Sequence, residues 1–214
     1  MPERRAFATQ YFSTPHRDDT AEFGMWVFIA TEILLFGGLI LAYFVYRHVY
    51  PLAFAEGSRH TDIVIGTTNT AVLLTSSLLV AWAVEVFSTD TRKISALLVL
   101  GAICLGLAFI VLKGFEYRKE YEEHLLPGID FQFGGALANG VQLFFIFYFI
   151  ATAIHAVHML IGIGVLAVLA VLCRNAPTSR HRAALHCGAL YWHFVDIVWI
   201  FLFALIYLPG RSIP

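Results

Sequence analysis

Charge is what this sequence has least of. Only 14% of its 214 residues are Asp, Glu, Lys or Arg, 59% are hydrophobic, and mean hydropathy is +0.74. A water-soluble domain of this length needs far more polar surface to cover itself, so that class is excluded. The formal charge of −1 comes with no basic stripe, which argues against nucleic acid as a partner. Cysteine is scarce: Cys104, Cys173 and Cys187 stand apart without CxxC spacing. That pattern supports neither a disulfide framework nor a thiolate metal site, and the three read as small apolar fillers. Gly-rich phosphate loops, nucleophile elbows and paired catalytic carboxylates are lacking. No apolar stretch precedes Phe23, so no cleavable signal peptide is expected. No internal repeat is visible, and all seven prolines fall outside the apolar runs. Both absences count against a transporter built on broken helices.

What is there is long apolar sequence. Five runs cover about 23–46, 66–87, 94–115, 139–172 and 187–208, each of the roughly 20 residues needed to cross a bilayer. Backbone polar groups in lipid must be satisfied within such a run, which predicts helices rather than barrel strands. The expected fold is all-α: a polytopic membrane bundle of five transmembrane helices over 23–208, with a polar tail at 1–22 and a short tail at 209–214. Pro51 and Gly57 punctuate the first loop, 47–65. Ser88, Thr89 and Asp90 suit capping of the third helix. Glu116, Glu120, Glu122, Glu123 and Asp130 make the third loop acidic, and Pro177 marks the fourth. The fourth run would form a helix of about 50 Å at 1.5 Å per residue, so it must tilt or extend past the bilayer. Gly37-Gly38, Gly162 and Gly164 are expected where helices approach closely. With the N-terminus inside, the inner segments hold Arg4, Arg5, Arg17, Arg92, Lys93, Arg174, Arg180 and Arg182. The outer ones hold Arg47, Arg59, Lys113, Arg118, Lys119 and Arg211. The excess favours a cytoplasmic N-terminus.

Ionisable residues inside a span cost several kcal/mol, so each is a functional candidate. Glu32 lies near the middle of the first span and reads equally as a proton-accessible carboxyl or a hydrogen-bonded structural one. His155 and His158 share a face of the fourth span at i, i+3, and His193 and Asp196 repeat that spacing in the fifth. A His–carboxylate pair could orient an imidazole or relay a proton, while HxxH alone is a weak metal signal. Asn69 and Ser76, seven apart on the second span, read as interhelical hydrogen-bonding groups. Trp199 lies too deep for an interfacial residue and reads as packing.

FGMWVFIATEILLFGGLILAYF, TTNTAVLLTSSLLVAWAVE, LKGFEY, FYFIATAIHAVHMLIGI and YWHFVDIVWIFLFALIYL, in this order and spacing, resemble subunit III of haem–copper cytochrome c oxidases. The likeness is to the short five-helix form and runs from about Glu22 to Tyr207. It implies an accessory subunit in the cytoplasmic membrane of a bacterium that carries no haem and no copper. Such a subunit packs on oxidase subunit I, beside subunit II, and those partner chains hold the redox centres. A larger respiratory supercomplex would be a further setting. The resemblance also implies bound structural phospholipid and support of proton uptake during oxygen reduction. Glu32 falls at the family's buried, carbodiimide-reactive carboxyl, Glu116 lies in the LKGFEY match, and His155, His158, His193 and Asp196 stand at recurrent polar positions. His186 replaces an acidic residue that some members carry before the last helix, so no role resting on that carboxyl transfers.

A histidine census agrees with an accessory role, since His155, His158 and His193, with His186 at a boundary, are too few for a haem–copper centre. Two alternatives stay open. TEILLFGG and LLPG favour the cytochrome c branch, but quinol oxidases and nitric oxide reductases have similar companions. In a different class, His155 or His158 opposite His193 could ligate iron in a small membrane cytochrome b.

Overall fold

The structure, a computed structural model, describes residues 14–88, 90–128, 131–175 and 179–211. Thr89, Asp130, Pro177, Arg4, Arg5 and the ends 1–13 and 212–214 lie outside the described residues, as do the side chains of Arg17, Cys173 and Arg180. Among the described residues six helices follow one another: α1 (Thr14–Val49), α2 (Pro51–His60), α3 (Ile63–Glu85), α4 (Arg92–Glu122), α5 (Ala138–Asn175) and α6 (Ser179–Tyr207), closed by a 3-10 turn at Pro209–Arg211. All except α2 are long and apolar enough to cross a membrane, so the protein is an integral membrane protein. The helices α3, α4, α5 and α6 pack in a ring, each against the next and α6 back against α3, while α1 lies outside it against α6. Accordingly α6 is the most buried of the five spans and α1 the least. The N-proximal face is where α1 and α4 begin; the N-distal face carries α2.

The first loop is not a loop. Pro51 sits in the first turn of α2, where a missing N–H costs nothing. Gly57 does not end that helix but lets it close on α5, since a Cβ there would lie 2.5 Å from the Phe144 ring. The turn at Pro209–Arg211 is stitched to α2: Arg59 Nε donates to the Gly210 carbonyl at 2.9 Å. Arg211 in turn donates to the carbonyls of Ser58 at 3.0 Å and Thr61 at 2.8 Å.

The third span also ends later than its hydropathy predicts, and α4 carries Glu116, Glu120 and Glu122 within the helix rather than in an acidic loop. The N-cap position is Thr91, whose side chain makes no capping hydrogen bond to the helix, while its N–H donates to the Ser88 hydroxyl at 3.4 Å. Gly37, Gly38 and Gly164 are not at helix contacts, for a Cβ at any of them would meet nothing within 4 Å. Gly37 and Gly164 border grooves instead. Among the helix-packing glycines are Gly106 and Gly162, where an added Cβ would lie 2.8 and 2.9 Å from different atoms of the Trp192 indole.

Asp62 starts α3, its carboxylate accepting from the N–H groups of Val64 (3.1 Å) and Ile65 (3.3 Å) and from Lys119 Nζ of α4 (3.0 Å). Partial burial pushes this carboxyl up, but the Lys119 and backbone hydrogen bonds outweigh it and hold it below the usual carboxylate range. A depressed folded-state value stabilises above the unfolded value, and that stability is lost as pH falls through the folded one. We expect Asp62→Ala to cost about 0.5–2 kcal/mol as a lost cap. In thermal melts of the detergent-solubilised protein, the gap between wild type and variant should narrow in acid. A gap that widens in acid would refute the capping account.

Candidate functional site

Glu32 of α1 and His158 of α5 meet across their interface, with Glu32 Oε2 3.0 Å from His158 Nε2. Both side chains are largely buried, at 15% and 13% exposed. His158 Nδ1 lies 2.8 Å from the carbonyl of Ile154. A carbonyl only accepts, so Nδ1 carries hydrogen. Nε2 and the carboxyl therefore share one proton, either as imidazolium with carboxylate or as imidazole with carboxylic acid. Phe36 packs edge-on to the imidazole at 5.2 Å, and Tyr191 donates its hydroxyl to the carbonyl of His158 at 3.0 Å. The site can thus hold or pass a proton at mid-span beside an apolar groove.

The other predicted residues are dispersed through the ring. His155 is fully buried between Phe109 at 5.5 Å and Trp199 at 5.2 Å; among the described residues neither ring nitrogen has a hydrogen-bond partner. The two histidines of HAVH thus occupy different environments despite sharing a face. His193 Nδ1 meets the Ser77 hydroxyl at 2.6 Å, so serine, not Asp196, orients this imidazole. Asp196 is 3% exposed and without a hydrogen-bond partner among the described residues. Ser76 works as expected of an interhelical group, donating to the Ala102 carbonyl of α4 at 3.4 Å and accepting from Trp192 Nε1 of α6 at 2.9 Å. Asn69 is buried on the same face, without a hydrogen-bond partner for its side chain among the described residues. Trp199 is wholly buried, its Nε1 donating to Thr70 at 3.1 Å. Among the described residues no group of three or more His, Cys, Asp or Glu could hold a metal ion.

A polar cluster at the N-distal end was only partly visible in the sequence. Lys113 Nζ donates to Glu116 Oε2 (2.9 Å), the Tyr148 hydroxyl (2.9 Å) and the Tyr207 hydroxyl (3.0 Å). The Tyr207 hydroxyl in turn donates to Glu116 Oε1 at 2.7 Å. This joins α4, α5 and α6 through one buried ammonium, which also lies 4.7 Å from the Tyr148 ring centroid and 5.5 Å from that of Trp199. Lys113 had counted only as an outer-segment cation. The signal that could have found it is spacing: Lys113, Glu116 and Glu120 continue the buried face of Gly106 and Phe109 at helical intervals.

A bundle with five membrane-crossing helices among the described residues, carboxyl–histidine pairing at mid-span and an ionic clamp at one end is the structure of a polytopic membrane protein. Its sequence matches the family described as cytochrome c oxidase subunit III over residues 9–211. The chain belongs to the cytochrome c oxidase subunit III family. It is 29% identical over 195 residues to "Cytochrome c oxidase subunit 3" of Synechocystis sp., covering 89% of this chain and 76% of that protein. To the protein of the same name from Oncorhynchus clarkii it is 32% identical over 207 residues, 92% of this chain and 72% of the relative. It is also 30% identical over 201 residues to "Heme-copper oxidase subunit I+III" of Aeropyrum pernix, 91% of this chain and 23% of that longer protein. These likenesses make it subunit III of a haem–copper oxidase.

Proposed function

We propose that the chain is a non-redox accessory subunit that sits on oxidase subunit I, beside subunit II, and sustains proton uptake during oxygen reduction in aerobic respiration. The haems and copper belong to the partner chains. The observation that carries this reading is the 3.0 Å contact of Glu32 with His158 at mid-span, a pair able to share a proton. The Aeropyrum pernix relative, whose name joins subunits I and III, supports subunit I as the main contact. The setting is the cytoplasmic membrane of a bacterium, with the N-proximal face towards the cytoplasm, in line with the excess of basic residues there.

Structural phospholipid fits the surface beside this pair. Between α1 and the α5–α6 pair, an apolar cavity of about 790 Å³ is lined by Met25, Phe28, Gly164 and Tyr191. A second, of about 610 Å³, is lined by Ile33, Phe36, Gly37 and Phe194. Arg182 and His186 stand with Glu22 and Glu85 around a polar recess that shares Cys187 with the first cavity. Acyl chains would lie in the apolar space and a phosphate near Arg182.

Glu32→Gln in the intact complex tests the proton role. The variant should assemble and start turnover normally, then lose proton pumping and activity several-fold sooner during sustained turnover. Unchanged turnover, pumping and inactivation rate would remove Glu32 from proton handling.

A further inference from the structure

Glu120 is a buried carboxyl that neither the Glu32–His158 pair nor the Lys113 clamp employs. It lies one turn beyond Glu116 on the same face of α4, is 2% exposed, and neither carboxyl oxygen has a hydrogen-bond partner among the described residues. The Tyr148 hydroxyl beside it accepts from Lys113 Nζ, which leaves its own hydrogen directed at the Glu120 side but adds no charge there. The neighbourhood holds one cation and two carboxyls: Lys113 is committed to Glu116 at 2.9 Å, with side chains 6% and 1% exposed. Among the described residues no second cation faces Glu120. On α4, Tyr117 and Glu123 add no positive charge, and Tyr207 of α6 donates to Glu116. Lys119 turns outward to Asp62 at the start of α3. Two ionised carboxylates with one ammonium would leave an uncompensated negative charge where each buried ion already costs several kcal/mol, and neighbouring like charges do not both ionise.

We propose that Glu120 is a proton-binding site at the N-distal end of the bundle, taking one proton from the aqueous phase on that face. The exchange is balanced: the carboxylate and a hydronium ion give the carboxylic acid and water. Access is short, because α4 ends at Glu122, and Glu122 and Arg118 are themselves exposed at 61% and 74%. The proton goes to Glu120 rather than Glu116 because Glu116 has both an ammonium and a tyrosine hydroxyl donating to it. Loaded, the cluster is neutral. Unloaded, Glu120 competes with Glu116 for Lys113 and loosens the clamp between α4, α5 and α6. The proposal does not rest on the oxidase reading, since it concerns charges within this chain.

Infrared difference spectroscopy of the purified complex tests it. Wild type minus E120Q should show the C=O stretch of one carboxylic acid at neutral pH, fading in alkali. In E116Q, Lys113 has Glu120 as its sole counter-ion, so the same band should vanish. In K113M/E116Q, Glu120 again lacks a cation and the band should return. These two variants decide the matter even if E120Q does not assemble. A band that persists in E116Q, is missing from the double variant, or is replaced in wild type by carboxylate absorption at neutral pH would overturn the proposal.

Discussion

Lys113→Met is expected to destabilise the chain by about 3–5 kcal/mol, the usual cost of removing one partner from a buried ion pair. Among the described residues the ammonium is the one group that bonds Glu116, Tyr148 and Tyr207 together, and methionine replaces its volume but none of its donors. The loss is therefore electrostatic: Glu116 Oε2 is left buried and unpaired, with only the Tyr207 hydroxyl still donating to the other oxygen. The measurement is the temperature at which the chain dissociates from the detergent-solubilised complex. A large drop for K113M, mostly recovered in K113M/E116Q, would show that the charge and not the side-chain stem is what matters. A K113M midpoint equal to wild type would mean that water reaches the cluster freely and that the clamp contributes nothing.

Trp192→Ala should cost a similar amount, about 3–5 kcal/mol for a large aromatic removed from a packed interior. Trp192 is fully buried and occupies the centre of the ring, between Gly106 of α4 and Gly162 of α5, with its N–H on Ser76 of α3. It therefore touches every other helix of the ring from its place on α6. Trp192→Phe keeps most of the volume and loses the hydrogen bond, worth about 1 kcal/mol. Thermal dissociation of the same complex should rank wild type, Phe and Ala in that order, with the larger step between Phe and Ala. Equal losses for Phe and Ala would assign the stability to the Ser76 bond rather than to packing.

The reading of the sequence is sound wherever hydropathy alone decides. The five spans stand out because a bilayer demands long uninterrupted apolar helices, and Glu32 stands out because a carboxyl in such a run is conspicuous. Its partner does not: Glu32 and His158 are 126 positions apart, and no local pattern links them. Charge density misleads near helix ends. Lys113, Glu116 and Glu120 look like a solvated loop, yet they fold into an interior where three helices supply tyrosines and one another's counter-charges. Punctuation misleads too, because Pro51 and Gly57 serve the start and the packing face of α2 rather than breaking it. Small residues are ambiguous for a related reason. Gly37 borders open groove and Gly106 receives an indole, a difference set by which neighbour arrives.

The stitching of α2 to the Pro209–Arg211 turn bears on the order in which the chain matures. Arg211 reaches the carbonyls of Ser58 and Thr61 from 153 and 150 positions further along the chain, so α2 emerges from the ribosome long before the residues that secure it. Until α6 is inserted, the N-distal ends of α1 and α3 are joined by a short helix whose Ser58 carbonyl accepts from Thr61 alone and which lacks the Arg211 bonds. Domains and bundles that close late expose their unfinished surfaces for longest. In this protein that interval ends only when the final turn folds back, which makes the last few residues of α6 and the turn behind them the latch on biogenesis.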